Sequence, residues 1–197
     1  MRRPQFPWRL RGERGQTLVE FSFVLPVVAL LGLGVVELSY GLLDEHIVTK
    51  LSREGSNLIS RDATLTDTMN ALRGMTSGPV DLNTRSTVIL TVIKRIAVVN
   101  APNDGKDIVY QRYKSGALDV DSKLQMRGSG TFGGPPEYVA ANANTDTNLQ
   151  LTNLPANTMV SGGTLYVTEV FSTHTALTPL DKFGITMPST LYSIAYF

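Results

Sequence analysis

Cysteine is absent from the 197-residue chain, and histidine is nearly so, with His46 and His174 alone. The first absence excludes disulfides, a cysteine-linked lipid anchor and thiolate metal sites, so an exported domain must be held by its core. The two histidines fall in different elements without carboxylates at ligand spacing, and His174 reads as a polar residue on a strand surface. No metal and no cofactor are expected. Asp104/Asp107 and Asp119/Asp121 lack the Gly and closing Glu of a calcium loop and read as turn residues. Gly128-Ser129-Gly130 is not a nucleophile elbow, and Gly162-Gly163 precedes a strand rather than a phosphate-cradling helix. No catalytic residues are expected, and no enzyme.

Net positive charge is also missing outside one place. Arg2, Arg3, Arg9, Arg11 and Arg14 stand against Glu13 in residues 1–15, a net charge of +4. The whole chain carries +1, so residues 16–197 carry +1 − 4 = −3. The positive balance belongs to a short leader, and no nucleic-acid footprint is present. Arg2-Arg3 followed by Pro4-Gln5-Phe6-Pro7 fits a twin-arginine signal poorly.

What the chain has in abundance is one apolar run. Sixteen residues from Phe21 to Val36 carry no charge, and the apolar character continues past Glu37 to Leu43. As a helix, residues 21–43 extend about 34 Å, enough to cross a hydrocarbon core of roughly 30 Å. Residues 16–43 are therefore expected to form a transmembrane helix in contact with lipid. The arginines before it favour a cytoplasmic amino terminus and an extracytoplasmic carboxy-terminal part. Pro26 and the pair Gly32/Gly34 lower helix stiffness inside the span and predict a kink or local melting there. Glu37 reads as an interfacial carboxylate at the outer end, in preference to an assembly contact.

A helix starting near Thr17 is expected to continue beyond the membrane within an amphipathic region, residues 44–80. Ile47, Val48, Leu51, Leu58 and Ile59 recur at helical spacing with Gly55 in the same stripe, while Asp44, Lys50, Arg53, Glu54 and Arg61 occupy other faces. A short helix over 65–75 is expected next. Strands are expected over 87–99 (TVILTVIKRIAVV), 107–114 (DIVYQRYK), 164–175 (TLYVTEVFSTHT) and 191–197 (LYSIAYF). Asn103-Asp104-Gly105 marks the hairpin turn between the first two. Tyr192, Tyr196 and Phe197 read as core aromatics in preference to edge or subunit-contact residues. Residues 115–163 are rich in Gly and Asn, with little reason to pack, and are read as a surface excursion carrying short strands. The expected fold class is α+β: a long amino-terminal helix packed on a small antiparallel β-sheet, which makes up an extracytoplasmic domain over 81–197.

One feature inside the apolar run resists a purely structural explanation. A carboxylate, Glu20, stands at the threshold of the span, five residues after Gly15 closes the basic leader. A charge at the bilayer centre costs on the order of 2–3 kcal/mol or more, and even near its edge it asks for a reason. Snorkelling to headgroups would be one. The combination of basic leader, Gly15, Glu20, apolar onset at Phe21, Val24-Leu25-Pro26 and Gly34-Val35-Val36-Glu37 resembles a type IV prepilin-type segment. More narrowly it resembles the TadE-like pseudopilins of tight-adherence (Tad/Flp) pilus systems, most clearly over 11–62 and weakly again at 165–171 and 177–180.

That resemblance implies a pilin-like subunit and specific roles. A prepilin peptidase would cut between Gly15 and Gln16, where glycine leaves the backbone extended and unobstructed. Glu20, with Phe21 beside it, would serve subunit assembly by pairing with the terminal amine of a neighbouring pilin. The implied partners are the prepilin peptidase, other Tad pilins and pseudopilins, and the inner-membrane assembly platform. The implied location is the bacterial inner membrane, with passage into a pilus. Two other readings stay open: a single-pass membrane protein with a ligand- or protein-binding β domain, and a secreted product cut after Ser39-Tyr40-Gly41. For the latter the apolar run is long and Glu37 is badly placed.

Overall fold

The computed structural model of the protein describes residues 13–76, 80–155, 158–184 and 188–197. Most of the leader, including Arg2, Arg3, Arg9 and Arg11, lies outside the described residues. Two helices, α1 (Glu13–Ser60) and α2 (Leu65–Met75), precede four strands, β1 (Ser86–Arg95), β2 (Asp107–Gly116), β3 (Thr164–Thr173) and β4 (Thr190–Tyr196). The strands form one antiparallel sheet in the order β2-β1-β3-β4, so the fold is α+β as expected.

The chain divides into two compact units. The larger takes in Gly41–Thr175 and the last strand. There the second half of α1 packs on the sheet through Val48, Leu51 and Ile59, which join Leu65, Met69 and Leu72 of α2 and Val88, Leu90, Val92 and Val170 of the strands. Small residues bring this helix close. Ser52 and Ser193 share a hydroxyl hydrogen bond of 2.8 Å, and Ser56 donates to the Ala195 carbonyl at 2.9 Å. A Cβ placed on Gly55 would lie 2.7 Å from Thr168, so glycine sets the helix–sheet distance. Thr64 caps α2 by accepting from the Asp67 N–H, satisfying a donor that the first helical turn leaves free.

β1 is buried along its first eight residues, because the helices cover one sheet face and residues 117–163 cover the other. It ends at Arg95, four residues short of the expected end. Arg95 turns to an ion pair with Asp107, its Nε 2.7 Å from the carboxylate, and donates to the Met159 carbonyl. Val98 and Val99 then pass onto the exposed turn. A bulge between Val92 and Ile93 leaves Tyr110 of β2 without a register partner in β1.

The expectation that residues 115–163 have little reason to pack is corrected. They carry isolated bridges, including Ile108↔Gln150 and Gln111↔Val139, which cover the outer edge of β2. Leu149 and Ala140 bury against Ile96 and Ile108, and Leu124 and Met159 against Ile93 and Val167. Asn103, expected only to turn the hairpin, is wholly buried. Its amide donates to the Ala143 and Asp146 carbonyls and its oxygen accepts from Gln150.

β4 forms the other edge. Tyr196 and Phe197 are exposed there, and Tyr192 is 39% exposed, so the aromatics expected in the core lie at the sheet margin. Tyr192 nonetheless leans on Phe171, with ring centroids 4.8 Å apart.

The smaller unit takes in the chain up to Tyr40 and the segment from Ala176. Helix α1 enters it without a break at Pro26, Gly32 or Gly34.

Candidate functional site: the amino-terminal helix and its carboxylates

Helix α1 begins at Glu13, earlier than the expected start near Thr17, so Gly15 and Gln16 sit in its first turn rather than in an extended segment. First-turn N–H groups have no partners within the helix, and such ends open readily. Gln16 donates from its side-chain amide to Glu20 at 3.0 Å, an i, i+4 contact on an exposed face. Phe21 beside it is 60% exposed. Pro26 cannot donate the bond that the Ser22 carbonyl would otherwise accept, yet the helix continues through it. Around Gly32 and Gly34 an added Cβ would meet nothing within 4 Å, so neither glycine serves a close approach within this chain.

Between residues 18 and 36 the apolar residues of α1 face outward on nearly every side. Leu18, Phe23, Val27, Leu31 and Val35 are all exposed, and the most apolar stretch of α1 has a mean hydropathy of 2.3 with none of its residues buried. Water solvates such a surface poorly, so lipid or other helices must cover it. Between residues 16 and 40, only Leu30, Gly34 and Glu37 are less than exposed, at helical spacing i, i+4, i+7.

Glu37 departs most from expectation. It is 3% exposed and does not face the interface freely. Its carboxylate accepts from the Leu177 N–H at 3.2 and 3.3 Å, the Thr178 N–H at 2.9 Å and the Thr178 hydroxyl at 2.7 Å. A buried carboxylate with several donors is far cheaper than an unpaired one. Glu20 and Glu37 are not brought together.

Two other polar residues are corrected in the sheet unit. Asp44 lies on the packing stripe, not on another face, because 44, 48, 51 and 55 follow one another at three- and four-residue steps. His174 is not a surface residue: its Nδ1 lies 2.8 Å from Asp44 Oδ2, with only 4% of its side chain exposed. No sequence pattern joins residues 130 positions apart. Among the described residues no group of three or more His, Asp or Glu could hold a metal.

Glu169 is a second buried carboxylate, at the centre of β3. It accepts from the Ser122 hydroxyl, the Lys123 N–H at 2.7 Å and the Tyr192 hydroxyl at 3.1 Å. Burial pushes the Tyr192 phenol up, and the Glu169 charge adds to the effect. Burial pushes the Arg112 guanidinium down, which the charge of Glu169 partly offsets. Arg112 donates to Thr91 and to the Leu124 carbonyl, so both charged groups fasten the excursion to the sheet. A charge inside an otherwise buried strand was the available sequence signal.

Among the described residues one helix is long and apolar enough to cross a membrane, and it leads into an antiparallel sheet unit, the arrangement of a membrane-anchored protein. Residues 15–57 match the model of the TadE-like protein family. The match starts at Gly15, covers the apolar helix and ends two residues past Gly55, leaving the weaker resemblance at 165–171 and 177–180 outside it. No curated protein and no solved structure matches the chain significantly.

Proposed function

We propose that the chain is a minor pilin or pseudopilin of a Tad-type pilus, stored in the inner membrane and used to assemble or initiate the filament. The observation that carries this reading is the outward-facing apolar stretch of α1 within a TadE-like match that starts at Gly15. In this reading the arginine-rich leader stays cytoplasmic and the sheet unit lies outside. A prepilin peptidase cuts the Gly15–Gln16 bond, which requires the first turn of α1 to open. Cleavage creates an ammonium at Gln16, four residues from Glu20. In the uncut chain the Gln16 side chain occupies the Glu20 carboxylate. After cleavage Glu20 pairs with the terminal amine of a neighbouring pilin, and the outward apolar surface of α1 exchanges lipid for other helices. Pro26 and Gly32/Gly34 give the helix room to bend as it packs.

Mass spectrometry of the membrane-extracted protein tests the first step. Gln16 is the expected amino terminus; Met1 would mean an uncut anchor and Leu42 a secreted product. Gly15→Arg should leave the chain uncut, and normal processing of that variant would overturn the assignment. Glu20→Ala should be processed and inserted but enter pili poorly. Pili at normal levels with Glu20→Ala would remove the pairing role.

A further inference from the structure

A chain segment remote in sequence is docked on the apolar helix at a depth where lipid is expected. Glu37 holds the Leu177 and Thr178 backbone and the Thr178 hydroxyl, and Leu180 in the following short turn of 3₁₀ helix, Pro179–Phe183, is 2% exposed. At 1.5 Å per residue, Glu37 lies about 24 Å along the helix from Phe21, inside a hydrocarbon core of roughly 30 Å or at its far boundary. Non-helical backbone is tolerated at that depth only where its polar groups are satisfied by protein. Glu37 meets that requirement for two N–H groups, and the docked segment in turn meets the carboxylate's need for donors.

The outer side of this segment is built differently. Leu177 is 60% exposed, although its N–H is tied to Glu37. Lys182, five residues further, is exposed as well. On the helix Leu38, the residue after Glu37, is exposed as well, continuing the apolar surface of the span. A satisfied backbone, an outward leucine and a lysine match the layer between acyl chains and headgroups.

We propose that residues 177–184 form an interfacial foot that inserts Leu177 into the acyl–headgroup boundary of the membrane crossed by α1, the partner being the lipid surface. Glu37 is the positioning residue that holds the foot at that depth. The proposal rests on α1 spanning a membrane.

The absence of cysteine makes a direct test straightforward. Full-length protein carrying Val28→Cys, Leu177→Cys or Asp119→Cys is spin-labelled and reconstituted alone into vesicles of phosphatidylethanolamine and phosphatidylglycerol. Accessibility to oxygen and to a water-soluble nickel chelate then reports depth. The label at 28 should be shielded from nickel, the label at 119 fully accessible, and the label at 177 shielded with strong oxygen contact. Lys182→Cys provides a second foot position should the label at 177 disturb docking. Adding Glu37→Ala should return the foot label to nickel accessibility. If the foot labels match the one at 119 while 28 stays shielded, the foot is overturned and the anchor stands. If 28 is itself accessible to nickel, the spanning reading fails first. A foot shielded only after pilins are added would assign this surface to a protein and overturn the lipid partner.

Discussion

At the scale of single residues, Gly55 shows how one missing side chain sets the geometry of the larger unit. Its position on the α1 stripe was legible from spacing, but the reason for glycine was not, because the neighbour is Thr168 in β3. Thr168 is β-branched and buried, so it has few rotamers with which to retreat. Gly55→Val should therefore lower stability by about 1–3 kcal/mol through overpacking, measured by thermal or denaturant unfolding. Thr168→Ala in the same chain should recover part of that loss, since it removes the colliding atoms together with a hydroxyl that has no hydrogen-bond partner. Equal losses in the single and double variants would show that the close approach is not what glycine protects.

Among elements, the strands were the readiest to read. The expected segments 107–114 and 191–197 differ from β2 (Asp107–Gly116) and β4 (Thr190–Tyr196) by no more than two residues at either end. β-branched and aromatic alternation carries that signal locally. The excursion over 117–163 was illegible because its order comes from scattered contacts: Leu149 against Ile108, Asn103 to three partners, and Glu169 to Ser122, Lys123 and Tyr192. The Glu169 node also gives a pH dependence. Burial first, and the Glu169 charge second, raise Tyr192 above the ordinary tyrosine value of about 10, so the folded state favours the neutral phenol. A raised folded pKa contributes stability that is complete below the unfolded pKa and is lost as pH climbs above it. The sheet unit should accordingly lose stability above about pH 10, and Tyr192→Phe should flatten that alkaline slope. Some slope should remain, because burial and Glu169 also raise Tyr196. An unchanged alkaline slope in Tyr192→Phe, followed by circular dichroism, would remove Tyr192 as its source.

For the molecule as a whole, the division into two units separates two kinds of polar burial that a sequence reading merges. Glu37 looked like the end of a span because its sequence neighbours are apolar, and the residues it binds lie 140 positions away. Its bonds to Leu177 and Thr178 belong to the smaller unit, whereas Asp44–His174 and the Gly55–Thr168 contact belong to the larger. Interactions without shared partners contribute nearly independently to stability. Glu37→Ala should therefore release the 177–184 segment, seen as faster hydrogen exchange at the Leu177 and Thr178 amides in detergent-solubilised full-length protein. The unfolding midpoint of the sheet unit should stay where it is. Gly55→Val should do the reverse, lowering that midpoint while leaving exchange at Leu177 and Thr178 slow. If Glu37→Ala shifted the sheet midpoint as much as Gly55→Val does, the two units would be one cooperative body, and the carboxylate would support the sheet rather than the segment docked on the apolar helix.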